Sequence, residues 1–513
     1  SSFKPKMESQ ACSSNAARSP CSTTTYSAAA ACSTTPSDNV LTDDNLLDII
    51  LGIHRICGDA WDSRRSVSHS LLRTLDSQVI TYADGGAGAA ARAEVALCRF
   101  PALRELRIRG LDDLKRLLPI LASRHCAQAW RLPHSRLSAS LPSLGLPSVA
   151  PHGRMVRLEL SGCGALTDSD LESLAEALPQ LEELQLSCNA QLVRPRLGGL
   201  RRLRVAALYI CASLQDGAVD DLCRGSPLLR ELSVWRCSAL RRPSLAAPQL
   251  KQLNVSECFE LTEEALVGAL RRCPALVNLL AAGCPLLRSP RLSGSRLKEL
   301  DLSANTLGDE TLTAACAAAS SLERLDVSHC RSLQSPTLGG EMLRSLIATG
   351  CDGLTDEAVS GLCARSPRLA TLRLSLCLSL CRPTIRAPLL SEAHLSGCSA
   401  LQDAAAAELC ANSPHLRRLG LALCSSLRSP ALRHEALLRL DLSHCGALLE
   451  PEIGGRRLSH LKLAGCAALL DAALERASVR SPRLRKLDVS RCTALEAPSL
   501  ACPALEALSR APV

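Results

Sequence analysis

Cysteine offers the most chemistry in this sequence, and its spacing is regular. The chain of 513 residues holds 27 cysteines. Cys163, Cys211, Cys237, Cys258, Cys284, Cys330, Cys351, Cys377, Cys398, Cys424, Cys445, Cys466 and Cys492 recur in one sequence context. Twice a histidine stands directly before the cysteine, at His329–Cys330 and His444–Cys445. A thiol beside an imidazole is the pairing of a nucleophile with its base. Only Cys377 and Cys381 approach a metal-binding spacing, with three residues between them, and no Cys-x-x-Cys occurs. The glycine-rich run YADGGAGAAARAE, residues 82–94, has no lysine and no strand before it, so it reads as a linker and not as a phosphate loop.

A residue that recurs at one place in a repeat is first a packing element, and free cysteine behaves as a small, readily buried hydrophobe. The motif around it supports that assignment. Upstream the pattern is Leu-x-x-Leu-x-Leu-x-x-Cys, as in LKQLNVSEC (Leu250 to Cys258) and LERLDVSHC (Leu322 to Cys330). The Leu-x-Leu alternation predicts a short strand with one buried face. From Cys211 to Cys237 is 26 residues and from Cys237 to Cys258 is 21. The alternation holds to Cys424, and two successive 21-residue steps then reach Cys445 and Cys466.

The long repeats continue as in LTDSDLESLAEALPQ, residues 166–180. There Thr or Asp is expected to open a helix by accepting its first free N–H groups, and Pro179, Pro227, Pro274, Pro367, Pro414 or Pro482 follows its end. The short repeats carry Cys-x-x-Leu-x-x-Pro-x-Leu, as in CSALRRPSL from Cys237 and CTALEAPSL from Cys492, with Asn189 replacing the cysteine in NAQLVRPRL. About a dozen residues are too few for a helix and two connections, and proline excludes a helix interior and a central strand. An extended return segment is predicted, with the following Leu or Ile packed inward. The fold class is therefore an α/β solenoid with strands on the inner face, its outer face alternating helix and extended proline segment.

Leu-x-x-Leu-x-Leu-x-x-Cys followed by x-x-Leu-Thr-Asp resembles the cysteine-containing leucine-rich repeats. The resemblance covers roughly Met155 to Leu500 and an isolated first repeat, FPALRELRIRG, at Phe100 to Gly110. It implies a horseshoe of about fifteen strands whose inner face runs roughly 70 Å, a surface suited to a protein or peptide. Such repeats often follow an F-box, a helical module that docks on the Skp adaptor of a cullin ubiquitin ligase. Residues 40–84 are similar to one. LTDDNLLDIILGI places Leu41, Leu46, Leu47 and Ile50 at the module's apolar positions, and RRSVSHSLLR matches a later segment through Ser66, Val67 and Ser68. Thr42 stands where the family has proline, and no aromatic fills the later family position. The resemblance implies adaptor binding through Leu41, Leu46, Leu47, Ile50, Leu51 and Val67. The alternative is an amphipathic helical cap over the first repeat.

On each strand the residues flanking the two leucines of Leu-x-Leu should face the ligand side. The last of these is usually Ser, but consecutive repeats carry Tyr209 and Trp235. Aromatics make up 2% of the chain, and Tyr and Trp are enriched in binding hot spots. The pair either serves a partner or packs against residues 111–150, an insertion-like stretch. Leu280 and Ile347 are apolar where neighbouring repeats have Asp301, Asp326 and Arg373, and Arg418, Arg439, His460 and Lys486 form a basic column. A solvated charge run is the alternative there.

The net charge of +9 is modest and spread along the chain, which argues against a nucleic-acid protein. No 18-residue apolar run predicts a membrane span, and the Ser/Thr/Ala-rich N-terminus lacks the apolar core of a secretory signal. Many unpaired cysteines point to a reducing, cytoplasmic or nuclear compartment. The expected organisation is a tail (1–39), an F-box-like module (40–84), a linker (85–99), a first repeat with insertion (100–154) and the array (155–513). No cofactor, metal or catalytic activity is expected. The function implied is recognition of a ubiquitin-ligase substrate, or a protein-interaction scaffold without ligase activity.

Overall fold

The computed structural model describes residues 106–107, 129–132, 156–161, 166–292 and 296–510. The expected tail, F-box-like module and linker lie outside the described residues, as do Cys163 and most of 100–154. Strands, most of three residues, run from Leu106–Arg107 to Ala507–Ser509. Nearly all join one parallel sheet of 18 strands, each beside the next repeat's strand. That exceeds the fifteen expected. One addition is Ala129–Leu132, which pairs with Leu106–Arg107 on one side and Arg157–Ser161 on the other. The stretch read as an insertion therefore carries a strand of the array.

The core follows from the period-2 pattern. Leu253, Leu279 and Leu300 at strand centres are 0–1% exposed, while both neighbours on each strand reach solvent. Leucine, cysteine, alanine and valine fill one continuous core from Leu158 to Leu495. With aromatics nearly absent, identical side chains stack repeat on repeat, which keeps the strands in register.

After most strands of the main sheet the chain turns through a residue of left-handed backbone: Ile210 (φ 55°), Glu257 (55°), His329 (60°), Leu376 (60°) and His444 (60°), or Gly350, Gly397 and Gly465. That turn aims the following cysteine inward. Cys258 Sγ–H donates to Val234 O (3.2 Å), Cys330 to Leu302 O (3.2 Å) and Cys466 to Leu442 O (3.1 Å), each carbonyl lying in an earlier repeat. Asparagine does the same work where it replaces cysteine. Asn189 Nδ2–H donates to Leu160 O, and Asn305 fills the hidden turn between Cys284 and Cys330 by donating to Ala281 O (2.8 Å) and Leu302 O (2.9 Å).

Helices Asp168–Ala177, Asp216–Gly225, Glu263–Arg272, Asp309–Ala318, Asp356–Arg365, Asp403–Asn412 and Asp471–Arg480 close the long repeats. The expected capping is only partly present. Thr167 and Thr355 accept from their own helices, whereas Thr262 makes no side-chain cap. The first-turn acid instead serves the next repeat. Asp309 Oδ1 and Oδ2 accept the amides of Gln334 (2.9 Å) and Ser335 (2.8 Å), and Asp356 accepts those of Cys381 (3.0 Å) and Arg382 (2.8 Å). Asp168, Asp216, Glu263, Asp403 and Asp471 repeat this clamp.

The proline's place now has a reason. It directly follows the two clamped amides, and the amide after it often bonds the same helix one turn on, as Thr337 N–H does to Thr313 Oγ1 (2.9 Å) and Thr384 N–H to Ser360 Oγ (3.0 Å). Proline thus occupies a buried site with no donor left over. The next residue packs inward as expected, with Leu338 and Ile385 each 1% exposed.

Two successive short repeats bring two proline segments together with no helix between them. Ala431–Arg433 and Glu452–Gly454 pair there as a separate parallel sheet. With no acid at hand, the amides of Leu449 and Glu450 turn to Arg428 O.

Asp356→Ala removes the acceptor of two amides and should lower stability by about 1–3 kcal/mol, with Asp356→Asn costing less, read from the urea midpoint. Gly465 has φ +72°, and a Cβ there would lie 2.5 Å from His444 Nδ1. Gly465→Ala should cost about 1–2 kcal/mol, and less in a His444→Ala background, where a double-mutant cycle reads the relief.

Candidate partner-binding face

The side of the sheet away from the core is an open row of side chains, three per strand. Parallel pairing stacks like positions in columns about 4.8 Å apart. Tyr209 and Trp235 fall in the third column. Cys188 N–H donates to Tyr209 O and Ile210 N–H to Trp235 O, both at 2.9 Å, which carries the ladder through them. Their ring centroids are 6.3 Å apart and inclined by 70°, an edge-to-face contact of the favoured kind. Trp235 Nε1–H donates to Glu257 Oε1 (3.3 Å), and Glu257 Oε2 also meets Arg236 Nε (3.4 Å). Both rings are half-buried. Residues 111–128 and 133–150, the alternative packing partner, lie outside the described residues.

Beside Tyr209 the central column runs Ala207, Ser233, Asn254, and these small side chains leave a hollow of about 240 Å³ on the open face. Val205 and Leu280 add apolar lining, and Glu231 and Glu299 give its first column acidic charge. Among the described residues the Ser233 hydroxyl has no hydrogen-bond partner. Tyr209 and Leu280 thus meet at one hollow. Ile347 lies three strands further on, beyond Asp301 and Asp326, and takes no part in it. The hollow was missed from sequence, although three consecutive small residues in one column are its signal.

Asp301 and Asp326 serve their own strands, accepting the amides of Ser303 and Ser328 at 2.9 Å. Burial, aided by Asp301 on the next strand, raises the Asp326 carboxyl above its ordinary range. Beyond Ile347 the sign of the face reverses. Arg373 stands beside His394, and burial, then Arg373, holds that imidazole below its ordinary pKa. Arg418, Arg439, His460 and Lys486 occupy successive strands in register. Apart from Ile347, the residues expected to bind a partner form two regions: an acidic hollow with aromatic neighbours, and a basic row.

The expected adaptor-binding residues, Leu41, Leu46, Leu47, Ile50, Leu51 and Val67, lie outside the described residues. Among the described residues no group of three His, Cys, Asp or Glu side chains is placed to hold a metal ion, and no helix is long and apolar enough to cross a membrane. His329 and His444 sit in the left-handed turns with their rings over Gly350 and Gly465, while the cysteines after them are 0% exposed. Burial pushes the thiols of Cys330 and Cys445 up to about 11, and those of Cys258 and Cys351 up to about 12.

This geometry is a leucine-rich-repeat solenoid. The family "Leucine Rich repeat" matches residues 296–314, about one turn of the array. No curated protein matches the sequence. Among solved structures the chain is similar to one of the Rad7 and Elc1 complex in yeast, at 17% identity and a TM-score of 0.37, covering 92% of this chain and 98% of that one. It is also similar to one of a TLR13–ssRNA13 complex, at 15% identity and a TM-score of 0.46, covering 81% of this chain and 62% of that one. A third is the functional domain of InlJ from Listeria monocytogenes, which includes a cysteine ladder, at 15% identity and a TM-score of 0.32, covering 61% of this chain and 78% of that one.

The buried thiols stay protonated in the fold to about pH 11–12 but ionise near pH 8.5–9 once unfolded. Their stabilisation is therefore complete below about pH 9 and is lost as pH rises toward 11. The urea midpoint should fall steeply between about pH 9 and 11. In site-resolved alkylation at pH 7.5, Cys330 and Cys445 should react only on unfolding, and rapid native labelling of either would revive the nucleophile.

Proposed function

We propose that this chain is the substrate-recognition subunit of a Skp–cullin–F-box ubiquitin ligase. The observation that carries this reading is the F-box-like segment at residues 40–84, with Leu41, Leu46, Leu47 and Ile50 at the module's apolar positions, directly ahead of a repeat solenoid. In this role the N-terminal module binds the adaptor and the open face of the sheet holds the target. The chain performs no bond chemistry of its own. It raises the concentration of substrate beside the ligating enzyme, in the cytoplasm or nucleus.

Two features of the array support this role. The open face offers many strands of solvent-facing side chains, and the regular Cys and Asp positions are taken up by backbone hydrogen bonds within the stack. The Tyr209–Trp235 pair and the neighbouring hollow suit an apolar anchor from a protein target. A second reading, a scaffold outside any ligase with a helical cap, is favoured by Thr42 in the family's proline position.

A pull-down of a recombinant Skp adaptor separates the two. The wild-type chain should retain the adaptor, and the Leu46→Asp, Ile50→Asp double variant should lose it with an unchanged circular dichroism spectrum. Failure of the wild type to bind while its repeats are folded would leave the scaffold reading.

A further inference from the structure

Wherever charges meet across neighbouring strands at the first column of the open face, the rule is opposite signs. Arg157 pairs with Glu183, Glu299 with Arg324 (3.8 Å) and Glu392 with Arg418 (2.7 Å). This is the arrangement that stabilises a sheet, whereas like charges directly opposite destabilise it. The row Arg418, Arg439, His460, Lys486 breaks the rule: Arg418 stands opposite Arg439, and no acid occupies this column on the strands of His460 and Lys486.

Nearby acids neutralise only its first member. Glu392 is taken by Arg418, Asp441 by Lys462 in the central column (3.5 Å), and Glu506 by Arg485 (3.6 Å). Among the described residues no acidic side chain pairs with Arg439 or Lys486. His460 lies between them, its Nδ1 hydrogen-bonded to Ser459 Oγ (2.9 Å). Burial and the flanking Arg439 and Lys486 hold its imidazole below the ordinary range, against a weaker opposing pull from Glu506. The row is a strip of concentrated positive potential on an exposed sheet.

We propose that this row binds an extended acidic segment of a partner protein, lying across the strands with carboxylates at alternate residues. Four rungs at about 4.8 Å span about 14 Å. An extended peptide covers that length in about five residues and presents same-side side chains roughly 6.7 Å apart. Three carboxylates of a Glu-x-Glu-x-Glu type therefore fall along the strip. A nucleic-acid strand fits less well. Sequence-tolerant binding of single strands uses aromatic stacking platforms, and no aromatic occurs between Thr371 and Arg510. The assignment rests on the proposed function only in calling that segment a substrate.

The test is fluorescence anisotropy of the full chain with a fluorescein-labelled Ser-Glu-Ser-Glu-Ser-Glu-Ser peptide, its Gln counterpart and a single-stranded oligonucleotide. The acidic peptide should bind, and binding should weaken steeply as salt is raised. Arg439→Ala with Lys486→Ala should weaken it roughly tenfold or more, at exposed positions where folding is little affected. Arg271→Ala with Arg291→Ala, on the helix side, should leave it unchanged. Equal binding of the Gln peptide, an unaffected Arg439/Lys486 variant, or tighter binding of the oligonucleotide would each overturn the proposal. A chain that binds the acidic peptide but no Skp adaptor keeps this site and loses the ligase reading. The reverse result removes the peptide site alone.

Discussion

The carboxylate at the start of each helix ties one repeat to the next. A repeat in a solenoid cannot bury its own faces and depends on its neighbours, so whatever fixes that junction fixes the stack. Asp356 shows how one side chain does this. It sits at the first turn of the helix Asp356–Arg365, where the helix dipole favours a negative charge. From there it accepts two amides of the following proline segment. Those amides precede a proline and have no strand or helix of their own to join. The clamp therefore satisfies backbone groups that would otherwise rely on water.

The same logic orders the opposite edge. The left-handed residue turns the chain, and the cysteine after it gives its S–H to a carbonyl of an earlier repeat. A thiol is a weak donor but small enough to stack at every turn. Asn305 makes more bonds in the same place, including acceptance of the Cys284 amide at Oδ1 (2.8 Å). Where the alternation slips, no helix offers a carboxylate to the repeat from Cys445, and its proline segment pairs as a strand with the preceding one. The junction changes its chemistry and leaves the main sheet continuous.

With both edges committed to backbone hydrogen bonds, variation is left to the open face. The strand-centre leucines beneath it keep one role in the core, while the columns of the open face change charge along the stack, from Glu231 and Glu299 near the hollow to Arg439 and Lys486 near the far end. A rigid frame carrying variable columns suits recognition of an extended partner.

Much of this was readable from the sequence. The repeat period, the buried leucines, the inward cysteine, the extended proline segment and the register of the basic row all follow from spacing, because a strand's period of two and a parallel stack leave side chains few places to point. The adjacency of Tyr209 and Trp235 was legible for the same reason. Other features needed the folded chain. The acid at the helix start looked like a cap for its own helix, and only the neighbouring repeat, some 25 residues away, revealed its partner. The strand at Ala129–Leu132, the role of Asn305 and the paired proline segments at Ala431–Arg433 and Glu452–Gly454 likewise depend on what lies alongside. Sequence determines what each repeat can become by itself. Tertiary structure decides which orphaned amides and carbonyls find one another, since hydrogen bonds between repeats depend on distance in space and leave no fixed mark on local pattern.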